Sequence, residues 1–353
     1  MPVPSLPKVG APPPPAPLRK IALEEHFGHP IVFMRDSKGR FETRKEADVG
    51  HLGPEYFALV QERLLDFDTT RLQAMDDAGV DKVLLSFGAG FRTFGVQGIL
   101  DPVDAQNTAR TVNDFLAEQV RAHPSRYIGM ATLALQDPDQ AVRELERCVT
   151  ELGFKGVMLN GYTQVGTPDN VIYLDDPRLT PLWEALTALD MPLYLHPRAS
   201  HKAVMYDNHP ELTGAAWGGL RAGDSDTRAA HRLQRHLRSL SERETGTGAS
   251  RRDPPVSRLA HSAWYRFQFE RRSTKKRLVD YLAENIWVTT SGNFNTQALH
   301  CTMLTMGADR ILFSNDYPYE DYAEGGEFID TVPISESDRR KIAYENAKAL
   351  YKL

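Results

Sequence analysis

The feature that most limits the fold is a succession of short, nearly all-apolar runs separated by stretches with helical spacing. The runs are 20–27 (KIALEEHF), 81–87 (DKVLLSF), 126–133 (RYIGMATL), 156–161 (GVMLNG), 192–197 (PLYLHP), 286–292 (IWVTTSG) and 311–318 (ILFSNDYP). A strand with one face in water alternates apolar and polar residues. A strand covered on both faces by crossover helices reads as a continuous apolar run. Between these runs, residues 104–123, 137–152 and 181–189 carry apolar residues at helical spacing, 55–78 contains an amphipathic stretch, and 335–353 reads as a closing helix. Seven strands are visible, and the interval between Pro197 and Ile286 has room for another. The count predicts an α/β protein, an eight-stranded (β/α)8 TIM barrel, with its chemistry at the C-terminal ends of the strands.

Polar residues gather at those ends. The first run closes on Glu24-Glu25-His26. Residues two apart on a strand face the same way, so Glu24 and His26 are expected to face the barrel axis. The fifth run ends on His196, before Pro197, and the last on Asp316, before Tyr317-Pro318. A single histidine at a strand end is an ordinary hydrogen-bonded residue, and a single aspartate before a turn is an ordinary cap. Two carboxylates and two imidazoles at one mouth are a ligand set for a divalent metal ion. Glu25 is expected to point outward into the helix layer as half of a structural pair. His29, His51, His123 and His300 have no partners at ligand spacing, and His201 and His209 are expected at most to border the pocket. Gly88-Ala89-Gly90 lacks the spacing of a phosphate loop, and no Gly-x-Ser-x-Gly elbow occurs.

Composition narrows the classes further. The 353 residues are 41% apolar and 25% charged, with a formal net charge of −5. No apolar run reaches the roughly 18 residues of a membrane span. The acidic balance argues against a nucleic-acid partner, whose footprint is a basic face. Two cysteines, Cys148 and Cys301, cannot make a disulfide framework, and a reducing cytoplasm is the expected compartment. Residues 1–18 hold Pro2, Pro4, Pro7, Pro12, Pro13, Pro14, Pro15 and Pro17, with no apolar core of a signal peptide. They are expected to be a disordered, proline-rich tail ahead of one barrel domain over 19–353.

With these elements in place the chain resembles a known family. ALEEHF (22–27), GVQG (95–98), LQDPDQA (135–141), ELERCVTELGFKGVMLNG (144–161), PLYLHPR (192–198), ENIWVTTSGNF (284–294) and GADRILFSNDYPYE (307–320) resemble the amidohydrolase-related metal-dependent decarboxylases, in the γ-resorcylate and 2,3-dihydroxybenzoate decarboxylase branch. The resemblance implies that Glu24, His26, His196 and Asp316 are metal ligands, with zinc expected ahead of manganese. Glu-x-His in place of His-x-His favours the decarboxylase branch over the hydrolytic one. The implied reaction is non-oxidative loss of CO₂ from a hydroxylated benzoate, with Asp316 as the proton donor to the ring carbon. A cation would orient the substrate through its carboxylate and ortho oxygen. The resemblance also implies a homo-oligomer, a dimer or a tetramer. Two alternatives stay open: a metal-dependent hydrolase of a lactone or amide on the same barrel, and a non-catalytic barrel remnant.

One stretch departs from the pattern, at about 219–262. Residues 221–260 hold nine arginines, no lysine, and no Ile, Phe, Tyr, Trp or Met. No barrel strand can be made from that composition, although the sixth strand is expected in this interval. The composition suits a solvated insertion. A sharper reading is a one-nucleotide frame displacement that is later restored. Read one base later, Asp226-Thr227-Arg228 can encode T-H-A, 234–238 S-G-T-F-E, 240–250 F-P-N-A-K-L-A-L-G-H, and 251–255 G-E-T-L-P. These are the family's own motifs in order and at their spacing. His231 and His236 do not fall on the motif histidine and receive no role. Losing a strand from a closed barrel would exceed a typical stability margin of about 5–15 kcal/mol.

Overall fold

The structure, a computed structural model, describes residues 17–30, 54–88, 95–196, 247–249 and 284–353. The expected tail lies outside these residues except at its end, as do His51, His201, His209, His231, His236 and all of the arginine-rich stretch but 247–249.

Eight strands form one parallel sheet. In sheet order they are β1 (Ile21–Phe27), β2 (Lys82–Phe87), β3 (Tyr127–Thr132), β4 (Gly156–Asn160), β7 (Leu193–His196), β8 (Thr247–Ala249), β9 (Ile286–Thr289) and β10 (Ile311–Leu312). The numbers skip because a short antiparallel hairpin, β5 (Thr163–Val165) and β6 (Thr167–Ile172), follows β4. The apolar-run reading did not anticipate this hairpin, whose outer strand is exposed and polar. The edges of the sheet meet: Leu23 makes a parallel bridge with Ser314, just beyond β10, and the Leu23 N–H donates to the Phe313 carbonyl at 3.2 Å.

β8 corrects one expectation. Thr247–Ala249 pairs in register with Leu193–Leu195 on one side and with Ile286–Trp287 on the other. A strand therefore exists where composition seemed to forbid one. A parallel ladder needs only main-chain N–H and C=O groups, which Thr, Gly and Ala supply as well as any residue. The lack of apolar side chains bears on burial, not on pairing.

Strands β1, β2, β3, β4 and β10 are buried along nearly their whole length, all seven residues of β1 among them. Their side chains sort into two clusters. Ala22, Val83, Leu85, Ala131, Val157 and Leu193 pack outward against the helices. Ile21, Leu23, Leu84, Met130, Met158, Tyr194 and Leu312 pack inward together with Ala347 and Tyr351 of the closing helical segment. Each such aliphatic side chain contributes about 1.5–3 kcal/mol by leaving water.

The helices start where the sequence supplies caps. Asp101 accepts from the N–H groups of Val103 and Asp104 and precedes Pro102, the first residue of α3 (Pro102–Ala122). Asp137 does the same for Gln140 ahead of Pro138 in α4 (Pro138–Thr150). An aspartate cap followed by a proline whose missing N–H would have been an orphan is a strong helix start. The amphipathic stretch 55–78 is two helices, α1 (Pro54–Leu65) and α2 (Thr70–Asp77). The break is made by Asp66. Its carboxylate accepts from the N–H groups of Arg71 at 2.6 Å and Thr69 at 3.1 Å and from the Thr69 hydroxyl at 2.9 Å. Partial burial works to raise this carboxyl, but those donors outweigh it and hold it below its ordinary value.

Replacing Asp66 by alanine should cost about 1–2 kcal/mol at neutral pH, the usual scale for a lost cap. Because the folded-state value is depressed, the contribution is present above the unfolded value near 3.8 and is lost as pH falls through the folded one. Melting curves of parent and Asp66→Ala protein from pH 7 downward should therefore converge in acid; a constant gap would show that the carboxylate charge contributes nothing.

Candidate metal centre

The inward alternation of β1 is interrupted, and the site depends on that interruption. Ile21↔Lys82 and Ala22↔Val83 are paired, and pairing resumes at Glu25↔Leu85 and His26↔Ser86. One extra residue has been inserted at 23–24. Glu24 sits there in the left-handed region at φ 55°, a conformation that costs a non-glycine residue about 1–3 kcal/mol. Leu23 already faces inward, so an unbroken strand would turn Glu24 outward and keep His26 outward as well. The bulge shifts the phase, and Glu24 and His26 both reach the interior. Bulges beside functional sites re-aim side chains in this way.

Four side chains converge at the C-terminal ends of the strands. Glu24, His26, His196 and Asp316 each offer one ligand atom, and these atoms lie within 4.8 Å of one another. His26 Nε2 is 3.2 Å from Asp316 Oδ1, and His196 Nε2 is 3.5 Å from Glu24 Oε1. The two imidazole rings meet edge to face, 5.1 Å apart. The side chains of Glu24 and His26 are only 1% exposed, whereas His196 retains 20% and Asp316 12%. The cluster is thus closed below and open on one side. Asp316, just beyond β10, also has positive φ, at 82°. The two carboxylate residues are the strained ones.

The donor set suits a cation. His26 Nε2 is buried and makes no hydrogen bond among the described residues. Burial pushes the His26 imidazole down to about 4, with Glu24 opposing the shift and Arg71 adding to it. A neutral ring carries the free lone pair that a metal ligand needs. Ser86 Oγ lies 3.2 Å from His26 Nδ1. The tautomer protonated at Nδ1 donates to Ser86 and aims the Nε2 lone pair into the cluster.

Neighbouring residues fix this arrangement, and most of them carry no signal in the sequence. Arg71 is fully buried and donates from its guanidinium to the His26 carbonyl at 2.7 Å and to the Arg63 carbonyl at 3.0 Å, while lying over the Tyr317 ring. Glu25 is buried, and its carboxyl accepts from the N–H groups of Asn315 at 2.9 Å and Tyr317 at 3.1 Å. Expected as half of a structural pair, it instead clamps main chain on either side of Asp316, and among the described residues it makes no ion pair with a base. Burial pushes Glu25 up to about 8, with those two N–H groups and Tyr322 working against the shift. At the end of β4, Asn160 stands in register with His196 and donates to Gln97, which donates in turn to the Leu133 carbonyl. The GVQG segment is thereby tied to the mouth. Gly95 holds φ 61°, and a Cβ there would fall 2.4 Å from the Asn160 amide nitrogen. The Tyr319 ring packs edge-on against His26, 5.6 Å between centroids.

The other described histidines lie elsewhere. His29 packs on Phe115, His123 meets Asp68 at 2.7 Å, and His300 meets the Pro333 carbonyl at 3.0 Å. Cys148 is buried, and burial pushes its thiol up, so it is inert packing.

Residues 28–244 and 258–353 match the family model described as amidohydrolase. The γ-resorcylate decarboxylase of Polaromonas sp. JS666 is 41% identical over 343 residues, covering 95% of this chain and 98% of that one. A solved 2,6-dihydroxybenzoate decarboxylase in complex with 2,6-dihydroxybenzoate superposes with a TM-score of 0.81 at 36% identity, covering 95% and 99% of the two chains. A dihydroxybenzoic acid decarboxylase from Polaromonas sp. JS666, solved with manganese and 2-nitroresorcinol, gives 0.80 at 38% identity, covering 95% and 97%.

A Cβ at Gly88 would lie 2.5 Å from the His26 Cβ and 2.7 Å from its Cγ. Gly88→Ala should therefore push the ring out of place. Calorimetric titration of the metal-stripped variant with Mn²⁺ should show affinity lower by about 10–100-fold, the scale of lost ligand support. Unchanged affinity would remove His26 from the ligand set.

Proposed function

Because the chain belongs to the amidohydrolase family, we propose that it is a metal-dependent carboxy-lyase that removes CO₂ non-oxidatively from a hydroxylated benzoate. The observation that carries this reading is the convergence of Glu24, His26, His196 and Asp316 within 4.8 Å. The γ-resorcylate and dihydroxybenzoate decarboxylases that align over nearly the whole chain support it. The sheet, its edges joined at Leu23 and Ser314, is read as the closed (β/α)8 barrel.

The four side chains would hold one divalent cation, and manganese, named with one of the similar structures, is the first ion to load, ahead of zinc. A bound cation would supply a Lewis acid that orients the substrate and stabilises developing charge. The chain's own residues do the rest. His26 and His196 hold their rings at right angles at the mouth and limit how the aromatic acid can enter. Asp316, beside His26 Nε2 and partly exposed, delivers a proton to the ring carbon that bears the carboxylate. That carbon becomes tetrahedral and aromaticity is lost. Cleavage of the bond to the carboxylate returns its electron pair to the ring, CO₂ leaves, and Asp316 recovers its proton from solvent. The hydroxyls ortho to the reacting carbon make that carbon electron-rich, so a 2,6-dihydroxybenzoate is the first substrate to test.

Residues 219–262 are read as a frame displacement in the gene. The arginine-rich composition and the ordered motifs of the shifted frame support this reading, and the family match breaks over 245–257. Sequencing codons 217–264 decides it, since an unbroken frame encoding the arginine-rich stretch ends the idea. The chain is further read as a cytoplasmic homo-oligomer, a dimer or tetramer, which light scattering on the purified protein would check. No helix among the described residues is long and apolar enough to cross a membrane.

Manganese-loaded protein should release CO₂ from 2,6-dihydroxybenzoate, and Asp316→Asn should lower the rate by at least the 10²–10⁴-fold typical of a lost general acid. Metal content measured on the same sample separates loss of the acid from loss of the ion. Full turnover in a fully loaded Asp316→Asn protein would assign the proton to another group.

A further inference from the structure

We infer that Tyr194 is a positioning residue for the metal centre, holding Glu24 as a one-oxygen donor. The inference rests on the ligand reading above. Tyr194 stands on β7 two residues before His196, so both side chains face inward. It is fully buried, and it belongs to the inner apolar cluster that floors the site. Its hydroxyl donates to Glu24 Oε2, and Thr289 Oγ1 on β9 lies 3.1 Å from the same hydroxyl. The other carboxylate oxygen, Oε1, is the one that faces His196. Thr289, Tyr194 and Glu24 therefore form a chain of hydrogen bonds across three strands, ending on the carboxylate.

The physical need for such a support is local. Glu24 occupies the bulge at positive φ, where no regular strand pairing fixes the direction of its side chain. A carboxylate with both oxygens free can rotate to give a cation two oxygens or none. The charge-assisted bond from Tyr194 occupies one oxygen and leaves the other for the cluster. A set of four one-atom donors would leave a cation that prefers about six ligands able to take substrate atoms as well.

The test is metal binding by the chelator-stripped protein, titrated with Mn²⁺ by calorimetry and by the loss of the free-ion electron paramagnetic resonance signal. Parent protein should bind one Mn²⁺ per chain. Tyr194→Phe, which removes only the hydroxyl, should bind about 10–100-fold more weakly. Thr289→Val, one bond further away, should weaken binding less than Tyr194→Phe does. Glu24→Gln should lose most binding. Melting of each metal-free protein supplies the control, because a merely structural hydroxyl would lower the melting temperature and leave the Mn²⁺ affinity alone. Parent affinity in Tyr194→Phe overturns the inference while leaving the ligand reading intact. A parent chain that binds neither Mn²⁺ nor Zn²⁺ overturns both.

Discussion

Everything at the mouth of this sheet answers to one constraint, the burial of two carboxylates side by side. Glu24 is almost wholly removed from water, and Asp316 nearly so. Transfer of an ionised carboxylate into such a place costs about several kcal/mol unless charge and hydrogen bonds compensate. A neutral imidazole would not neutralise it. On the proposed reading a divalent cation would, and it would also use the His26 Nε2 atom that makes no hydrogen bond among the described residues. The surrounding choices follow. Gly88 and Gly95 stay small because a methyl group would strike His26 and Asn160. Ser86 and Tyr194 contact His26 and Glu24 from behind.

The seam between β1 and the residues after β10 carries three of the four donors. It is held more firmly than a two-residue final strand would suggest. Beyond the Leu23–Ser314 bridge, the His26 N–H donates to the Tyr317 carbonyl at 2.7 Å. Glu25 accepts from two main-chain N–H groups on either side of Asp316. Arg71 reaches the same seam from the helix layer through the His26 carbonyl and the Tyr317 ring. Glu25 thus lies between Glu24 and His26 in sequence while its carboxyl holds the main chain around Asp316.

Much of this was legible in the sequence. Continuous apolar runs gave a two-sided parallel sheet, because burial on both faces removes the polar half of the alternation. The four ligand candidates were legible because each ends a run, and strand ends of such a sheet share one face of the molecule. Their convergence was legible; the bulge that achieves it was not. Simple alternation places Glu24 and His26 together, but it says nothing of Leu23, which also faces inward. Only the pairing register shows the extra residue. Arg71 and Ser86 were hidden for a different reason: each acts through a contact made across the fold, and no local pattern marks it. Tyr194 did leave a trace, two residues before His196. The short strand at Thr247–Ala249 was missed because side-chain composition was used to judge what backbone groups alone decide.

The four candidate donors come from residues 24 and 26 on the first strand of the sheet, residue 316 just beyond the last, and residue 196 between them. A nascent chain leaving the ribosome carries the first pair long before the last arrives. No shorter N-terminal fragment contains the proposed ligand set, so on that reading tight capture of an ion would await nearly complete synthesis and the meeting of the first strand with the residues after the last. Loading would then report that the two edges of the sheet have joined.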